Sequence, residues 1–492
     1  MPVTNNEGLF HSAKWAFIAN WYSRLIGIVN TLVLLKLLSP DDFGLAALST
    51  FFVSMFVAFS HVGVAHFVIS SDDMSEDELD SIWTLGLVIK TVTTFCLYFS
   101  AEWIAIYVNN MSMVYIIQAV AIIPFLSGLR NVALDKAEKD YKFKRVIATT
   151  MVARTAGAVV SIVLAIMLVS YWALIIGVIV SVFVETIVGY ILFPRRPRLS
   201  YQYWHKQWCF SKWLYVSSVF GYLRSRIDVL LLGNIVNTRD VGLYSVSTEF
   251  SWLPFNELII PINRGFFSVL SRVKNDSAEY YQKVVQQFSI NMLIVFPCSL
   301  GMMSIAIPFT DVILGDEWHD ASELIYVLSP LMIVMSVYGL LNTIMTIQKK
   351  MKLLILSDLI FLFGIIVFFI SYHDSNMFFL AHGRVWIGLI YFFWLIALLL
   401  WVVRIKYNDI VMIFIPPLLS SFVMYHIVEY SISLFYLTTA QLVIGVVIGA
   451  VSYIFSFVLI SYQCRKRYPY HWSCCVFVFD KYRLKLIKEG RG

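Results

Sequence analysis

The amino-acid sequence predicts an all-α polytopic membrane protein with about 14 transmembrane helices, arranged as two six-helix lobes related by a parallel internal repeat, plus two C-terminal helices. Three observations predict this fold class. Of the 492 residues, 59% are hydrophobic and only 14% are charged, whereas about 25% are charged in soluble domains. Windows of about 20 mostly apolar residues, long enough to cross the hydrocarbon core, recur from Lys14 almost to Gln463. Short motifs of the first half also return in the second half.

Apolar runs bounded by charge clusters, proline and glycine predict the order of the spans. The N-terminal lobe, 1–193, has spans at 14–39, 43–70, 82–108, 113–133, 146–168 and 171–193. A cytoplasmic linker at 194–212 leads to the C-terminal lobe, 213–403, with spans at 213–235, 241–270, 283–308, 320–347, 352–372 and 378–403. Two more spans, 409–428 and 437–462, occupy 404–462, and a basic cytoplasmic tail follows at 463–492.

The internal repeat depends on three motifs that return at one offset of 198 residues. The pairs are Lys14-Trp15 with Lys212-Trp213, Asp42-Phe43-Gly44-Leu45 with Asp240-Val241-Gly242-Leu243, and Ser49-Thr50 with Ser247-Thr248. The offset contains six spans, an even number, so both halves enter the membrane in the same direction. We therefore expect the substrate path between them. The alternative, chance likeness of apolar helices, does not explain one constant offset.

Lysine and arginine in the loops predict the orientation, because cytoplasmic loops retain positive charge. One side of the predicted topology carries 26 of the 37 basic residues, and the other side carries only Arg239. Both termini are therefore expected in the cytoplasm. The stretch Met1 to Ser12 lacks a basic n-region and a cleavage site, which favours a first span that stays in place.

Charged residues inside the spans are the candidate binding residues, because a charge at membrane depth is costly and usually faces protein, water or substrate. The candidate substrate-binding residues are Arg24, Lys90, Arg154, Arg224, Arg226, Asp228 and Arg264. Five of the six cations are arginines, and the planar guanidinium suits phosphate better than the point charge of lysine does. The set therefore predicts an anionic cargo, with phosphate as the simplest candidate.

Alternatives stay open for several of these residues. Arg224 and Asp228 are four apart, so an ion pair between them is as good an interpretation as a binding role. For Arg24, Arg154 and Arg264 the alternative is an interhelical ion pair. The 198-residue offset carries Arg24 onto Tyr222, and Arg226 lies one helical turn further along, so the cationic site repeats with a shift.

Enzyme signatures are absent from the sequence. It contains no Gly-x-x-x-x-Gly-Lys-Ser/Thr, no His-Glu-x-x-His and no Asp-x-Asp. The cysteines and histidine of the tail are irregularly spaced, which does not favour zinc. No catalytic residue, metal or cofactor is predicted, and the protein is expected not to be an enzyme.

Three stretches carry a family resemblance: residues 37–45, the basic segment 139–145, and 228–233 followed by Val241-Gly242-Leu243-Tyr244. With these, the chain resembles the bacterial polysaccharide transporter family of the multidrug/oligosaccharidyl-lipid/polysaccharide exporter superfamily, the Wzx-type flippases, from residue 14 to about 460. In that family an arginine commonly precedes the aspartate by three, whereas Ser225 holds that place here. Which of Arg224 and Arg226 faces the cavity therefore stays open.

The resemblance implies a flippase of the bacterial cytoplasmic (inner) membrane. It would move a polyprenyl-diphosphate-linked oligosaccharide repeat unit from the inner to the outer leaflet by alternating access, with a cationic central cavity, for O-antigen, capsule or exopolysaccharide synthesis. The implied partners are this substrate, membrane lipids, a polysaccharide polymerase and glycosyltransferases, without nucleic acid. The alternatives are a drug or cation antiporter of the same superfamily and a membrane glycosyltransferase or polymerase.

Overall fold

The computed structural model describes residues 6–60, 75–139, 143–204, 222–223, 226–348 and 350–464. Every regular element within these ranges is a helix, and no strand occurs in them. The predicted all-α fold class is therefore confirmed. The predictions on Arg224, on Lys212-Trp213 and on the basic tail from residue 465 lie outside the described residues.

The helices follow one another in chain order. The first nine are α1 (Asn6–Leu37), α2 (Pro40–Phe59), α3 (Glu76–Phe99), α4 (Ala101–Tyr107), α5 (Ser112–Val120), α6 (Ile122–Gly128), α7 (Ala133–Lys139), α8 (Phe143–Leu168) and α9 (Trp172–Leu192). After the helical segment 226–235 come α10 (Thr238–Ser251), a π-helix (Phe255–Ile259), α11 (Ile260–Val273), α12 (Ser277–Ser304) and α13 (Ala306–Phe309). A second π-helix (Thr310–Leu314) and a 3-10 turn (Asp316–Trp318) lead to the rest. These are α14 (Ala321–Leu328), α15 (Leu331–Ile347), α16 (Met351–Ser371), α17 (Met377–Val403), α18 (Tyr407–Ser433) and α19 (Thr438–Cys464).

Nine helices of the described residues are long and apolar enough to cross a membrane. They are α2, α3, α8, α9, α12, α16, α17, α18 and α19, and the pair α14 and α15, bent by 42°, makes a tenth if it counts as one span. Each coincides with one of the predicted spans to within about six residues at either end, with two exceptions. The predicted 43–70 runs beyond the described end of α2, and the predicted 82–108 is divided between α3, which ends at Phe99, and the short α4. The chain is a multi-pass membrane protein, and the total of 14 spans stays a prediction.

Two prolines interrupt the helix that the sequence predicts over 241–270. The α-helix ends at Ser251, Pro254 precedes the π-helix Phe255–Ile259, and Pro261 lies in the first turn of α11. Proline lacks the N–H that a regular helix needs and clashes with the preceding turn. The interruption follows from these two residues.

The chain divides into two compact units, Met1–Ser245 and Val246–Gly492. In the first unit, small residues bring α8 and α9 together. The Ser161 hydroxyl donates to the carbonyl oxygen of Ala173 at 3.0 Å, and a Cβ added to Gly177 would lie 1.7 Å from that hydroxyl oxygen. Small residues one turn apart let membrane helices approach closely, so α8 and α9 form a closely packed pair. Helix α1 packs on α8.

The first unit also contains a reciprocal contact between the two copies of the repeated motif. A Cβ added to Gly44 would lie 1.8 Å from the carbonyl oxygen of Thr238, and a Cβ added to Gly242 would lie 1.9 Å from that of Pro40. Both helix starts are capped in the same manner, by Ser39 for α2 and by Asn237 for α10. The two copies of the repeated motif therefore touch each other through their backbones at these two glycines.

In the second unit, α12 is the central helix. Val284, Phe288 and Met292 recur one turn apart on it, and each is fully buried. The ring of Phe414 from α18 packs edge-on against Phe288 at 5.4 Å and against Phe296 at 5.7 Å. The two helices beyond the predicted repeat are thus packed into this unit through α12.

Candidate functional site

Lys90 in α3 has a structural partner. Its Nζ donates to the carbonyl oxygen of Ser127 at 3.0 Å, near the end of α6. A Cβ on Gly128 would lie 3.3 Å from the Cβ of Lys90, so glycine at that position leaves space for the lysine. Carbonyl groups at a helix C-terminus carry partial negative charge and stabilise a cation. The half-buried Lys90 therefore ties α3 to α6.

Arg24 and Arg154 lie on neighbouring helices of the first unit. The hydroxyls of Tyr22 in α1 and Thr155 in α8 are hydrogen-bonded at 2.9 Å. Arg24 follows Tyr22 by two residues and Arg154 precedes Thr155 by one, so both arginines lie within about one helical turn of this bond. Both arginine side chains are exposed. The structure thus places two candidates that are 130 residues apart in the chain at a similar level on neighbouring helices.

Asp228 is buried and has hydrogen-bond partners that the sequence does not predict. It is 3% exposed, and its Oδ2 accepts a hydrogen bond from the Tyr244 hydroxyl at 2.9 Å. Its Oδ1 accepts from the backbone N–H of Val229. Arg226 is exposed at the start of the helical segment 226–235. The carboxylate of Asp228 thus holds the hydroxyl of Tyr244, whereas the side chain of Arg226 is exposed.

Arg264 belongs to the second unit. It is exposed on α11, three residues beyond Pro261. Within the described ranges it makes neither a hydrogen bond nor an ion pair, and the same holds for Arg154. The interhelical ion pairs considered for these two arginines do not occur among the residues that the structure describes.

A buried polar cluster in the second unit was not among the predicted site residues. The carboxylate of Asp358 in α16 accepts hydrogen bonds from the hydroxyls of Tyr391, at 2.6 Å, and Tyr338, at 3.1 Å. The Arg384 guanidinium, 5% exposed, lies 5.2 Å from the ring centre of Phe361. An arginine and an aspartate inside apolar spans were the available signal, but their assembly on α15, α16 and α17 requires the tertiary structure.

Each unit also contains a cavity. The cavity of the first unit, about 370 Å³, is mostly apolar, with Ser49 and Thr50 among its lining residues. The cavity of the second unit, about 480 Å³, is lined by Glu323, Glu429 and Tyr425 among others. In the described part of the chain neither cavity is lined by lysine or arginine, so the candidate cations lie outside both.

These features define a multi-pass α-helical membrane protein with cationic side chains at membrane depth. The sequence model of the polysaccharide biosynthesis protein family matches residues 33–323. The chain belongs to this family, the Wzx-type polysaccharide transporters, and the predicted resemblance is confirmed. The expectation of a transporter in place of an enzyme is confirmed with it.

Several curated proteins are similar to the chain. The lipopolysaccharide biosynthesis protein WzxC of Escherichia coli (strain K12) is 23% identical over 348 residues, which cover 69% of this chain and 68% of the relative. The succinoglycan biosynthesis transport protein ExoT of Rhizobium meliloti (strain 1021) is 19% identical over 319 residues, 64% of this chain and 65% of the relative. The teichuronic acid biosynthesis protein TuaB of Bacillus subtilis (strain 168) is 19% identical over 360 residues, 70% and 71%. The chain thus matches about two thirds of the length of these relatives.

Two solved structures share the fold. The lipid II flippase MurJ in an inward closed conformation superposes with a TM-score of 0.74 at 14% identity and covers 91% of this chain and 98% of its own. An inward-facing multidrug resistance transporter of the MATE family superposes with a TM-score of 0.58 at 11% identity, over 78% and 96%. At these identities the likeness concerns the fold.

Proposed function

We propose that this protein is a flippase of the bacterial cytoplasmic (inner) membrane. Its substrate is a polyprenyl-diphosphate-linked oligosaccharide repeat unit, which it moves from the inner to the outer leaflet for the synthesis of O-antigen, capsule or exopolysaccharide. Family membership and the names of the relatives WzxC and ExoT support this proposal. The fold shared with a lipid II flippase is consistent with it.

The observation that carries the proposal is the state of Arg154. Its side chain is exposed on α8, a helix apolar enough to span the membrane, and it has no hydrogen bond or ion pair within the described residues. A charge at the bilayer centre costs about 3 kcal/mol on insertion scales unless it is partnered. A diphosphate supplies pairs of anionic oxygens, to which the planar guanidinium can donate two parallel hydrogen bonds.

In the mechanism that we propose, the diphosphate enters from the cytoplasmic leaflet and neutralises Arg24 and Arg154. Arg226 and Arg264 contact the diphosphate at a later stage of its passage. The polyprenyl chain stays in the bilayer. The lobes at 1–193 and 213–403 alternate between access from the two sides, with both termini in the cytoplasm. Lys90 and Asp228, which already have partners, hold the surrounding helices in position.

A binding and transport assay tests this function. The full-length protein is reconstituted in vesicles with fluorescent undecaprenyl diphosphate, a substrate analogue without sugar. Arg154→Ala should weaken binding about tenfold or more, because a hydrogen bond to a charged group contributes about 1.5–3 kcal/mol and about 1.4 kcal/mol corresponds to tenfold. Lys274→Ala, which removes an exposed cation just beyond α11, is the matched control.

The second measurement is made in cells, as the amount of lipid-linked repeat units on the cytoplasmic side. The Arg154→Ala variant should accumulate lipid-linked repeat units on the cytoplasmic side, whereas Lys274→Ala should not. Wild-type binding and normal surface polysaccharide in the Arg154→Ala variant, at equal expression, would overturn the assigned role.

The acidic cavity of the second unit favours one other candidate function, a drug or cation antiporter. Glu323 and Glu429 with Tyr326 and Tyr425 are residues that suit an organic cation. That function predicts that Glu429→Gln lowers resistance to cationic dyes and that Arg154→Ala does not. The flippase function predicts that Arg154→Ala lowers the amount of surface polysaccharide and that Glu429→Gln does not.

A further inference from the structure

A segment without regular secondary structure follows α9 in the first unit, and we call its residues 194–204 the linker segment. Asn131 fixes the beginning of this segment. The side-chain amide of Asn131, which has no exposed surface, donates to the carbonyl oxygens of Phe193 at 2.8 Å and of Arg195 at 3.2 Å. A buried amide that loses its acceptors leaves a donor unsatisfied at a cost in stability. The linker segment therefore starts from a fixed position.

Two buried hydroxyls of α3 hold the rest of the linker segment against this helix. The hydroxyl of Thr84 accepts a hydrogen bond from the backbone N–H of Ser200 at 3.0 Å. The hydroxyl of Ser81 accepts one from the backbone N–H of Tyr203 at 3.2 Å. Both hydroxyl-bearing residues are fully buried. Because these bonds satisfy backbone groups that have no helical partner, the linker segment is a built part of the first unit.

Arg195 occupies two carboxylates at the start of α3. Its guanidinium forms ion pairs with Glu76 and, at 2.8 Å, with Asp80. Lys136 of α7 adds a second ion pair to Glu76 at 3.0 Å. The sequence from 194 to 212 contains no acidic residue. These ion pairs fix the direction of Arg195, and the linker segment keeps a net positive charge.

The side of the linker segment that faces away from α3 is basic. Arg195 and Pro197 are partly buried, whereas Arg196 and Arg198 are exposed. Residues two apart on an extended chain point to the same side, about 7 Å apart. Within the described ranges the side chains of Arg196 and Arg198 form neither a hydrogen bond nor an ion pair. The two arginines are thus available to one anionic ligand.

Two exposed apolar side chains follow the arginines further along α3. Leu199 is 65% exposed and Tyr201 is 60% exposed. They flank Ser200, which is bonded to Thr84, about 12 Å along α3 from the first residue of that helix. The ring of Tyr201 packs edge-on against Trp204 at 5.1 Å. Since α3 is apolar enough to span the membrane, this level is the boundary between headgroups and hydrocarbon, where Tyr and Trp are favoured.

The two halves of this surface together select the ligand. Guanidinium groups donate pairs of hydrogen bonds to phosphate oxygens, and exposed apolar side chains at this level pack against hydrocarbon. A free phosphate offers only the first contact, and a zwitterionic headgroup carries a cation that opposes the arginines. Anionic phospholipids attract basic segments that lie next to a membrane span. An anionic phospholipid therefore matches both halves.

We propose that the linker segment binds the headgroup of an anionic phospholipid, with Arg196 and Arg198 on its phosphate. Leu199 and Tyr201 contact the glycerol and the first acyl carbons of the same lipid. Arg195 is a positioning residue, because its ion pairs hold the segment on α3. A ligand that binds only the folded segment stabilises the folded protein. The proposal does not depend on what the protein transports.

Thermal unfolding in nanodiscs tests this site. The purified full-length protein is placed in phosphatidylcholine, phosphatidylglycerol replaces a rising share of the lipid, and Tm is measured at low salt. A saturable rise of Tm is expected. Arg196→Gln/Arg198→Gln should weaken the apparent affinity for phosphatidylglycerol about fivefold for each arginine, which is about 1 kcal/mol each. The rise should then no longer saturate.

The matched control is Arg272→Gln/Lys274→Gln. It also removes two exposed cations that are two residues apart, at the end of α11, and it should keep the wild-type response. An equal loss in both double variants would mean attraction by net charge without a site and would overturn the proposal. An unchanged response in Arg196→Gln/Arg198→Gln would overturn it as well.

Two other ligands identify the source of the phosphate. Glycerol 3-phosphate, added to nanodiscs of phosphatidylcholine, should not raise Tm; a rise as large as that in phosphatidylglycerol would mean binding of a free phosphate and would refute the lipid site. Binding of undecaprenyl diphosphate in phosphatidylglycerol nanodiscs should be unchanged in Arg196→Gln/Arg198→Gln. Loss of that binding with an intact phosphatidylglycerol response would assign the two arginines to the transported lipid instead.

Discussion

Replacing Gly44 by alanine is expected to push α2 and α10 apart. The new Cβ would lie 1.8 Å from the carbonyl oxygen of Thr238 and 2.8 Å from its carbon, and real Cβ atoms essentially never come closer than 3.0 Å to another heavy atom. The obstructing atoms belong to the backbone, so no rotamer change relieves the clash. Gly242→Ala meets the carbonyl oxygen of Pro40 at 1.9 Å in the same way.

The magnitude follows from two opposing effects. Inserting a methyl group into such a contact costs about 1–3 kcal/mol, and separation also stretches the 2.8 Å hydrogen bond from Thr238 to Asp41, which contributes about 1 kcal/mol. Alanine gains about 1 kcal/mol over glycine in a helix. We expect each variant to lose about 1–3 kcal/mol. Gly364→Ala, where no atom lies within 4 Å of the new Cβ, should be neutral or stabilised.

Thermal unfolding of the purified variants in detergent measures these differences. The Gly44→Ala/Gly242→Ala double variant should lose less than the sum of the single losses, because the first alanine already separates the helices that the second would separate. If both single variants melted at or above Gly364→Ala, the reciprocal contact would not exist as described.

Two further predictions concern single polar contacts. Tyr391→Phe removes the 2.6 Å hydrogen bond to the buried Asp358 and should lower the free energy of unfolding by about 1–3 kcal/mol, more than Tyr338→Phe, whose bond is 3.1 Å; equal melting of the two would contradict this order. The hydrogen bond that the imidazole of His319 donates to the Asp311 carboxylate raises the pKa of His319 above its ordinary value of 6.5, so Asp311→Asn should lower that pKa in an NMR titration. This pair contributes stability below pH 6.5 that is lost as the pH rises through the raised pKa, and an unchanged pKa in the variant would refute the assignment.

The helical spans are the part of the fold that the sequence predicts well. The span predicted at 352–372 is α16, Met351–Ser371, and that at 378–403 is α17, Met377–Val403. Hydropathy suffices here because water is absent from the bilayer core, so every backbone group must bond within its own helix. The π-helix after Pro254 and the bend before α15 depend on tertiary packing, and hydropathy does not predict them.

The candidate site is predicted less well, because a charge in a span shows that a partner is needed and not which partner it finds. The sequence offers Arg224 to Asp228 at helical spacing, and that pairing lies outside the described residues; the hydroxyl of Tyr244, 16 residues away, is a partner of Asp228 that the sequence does not reveal. Lys90 finds a backbone carbonyl, which no pattern of side chains can reveal.

The contact between Gly44 and Gly242 also bears on how such a chain could have arisen. Pro40 touches Gly242 while Thr238 touches Gly44, at one offset of 198 residues. This is the exchange that defines an isologous interface, in which the same patch is used by both partners. An unfused half would have met a second copy of itself through this glycine, and every mutation there would have acted twice. Fusion of the two copies lets each glycine vary alone, so later divergence can specialise one half without disturbing the same position in the other.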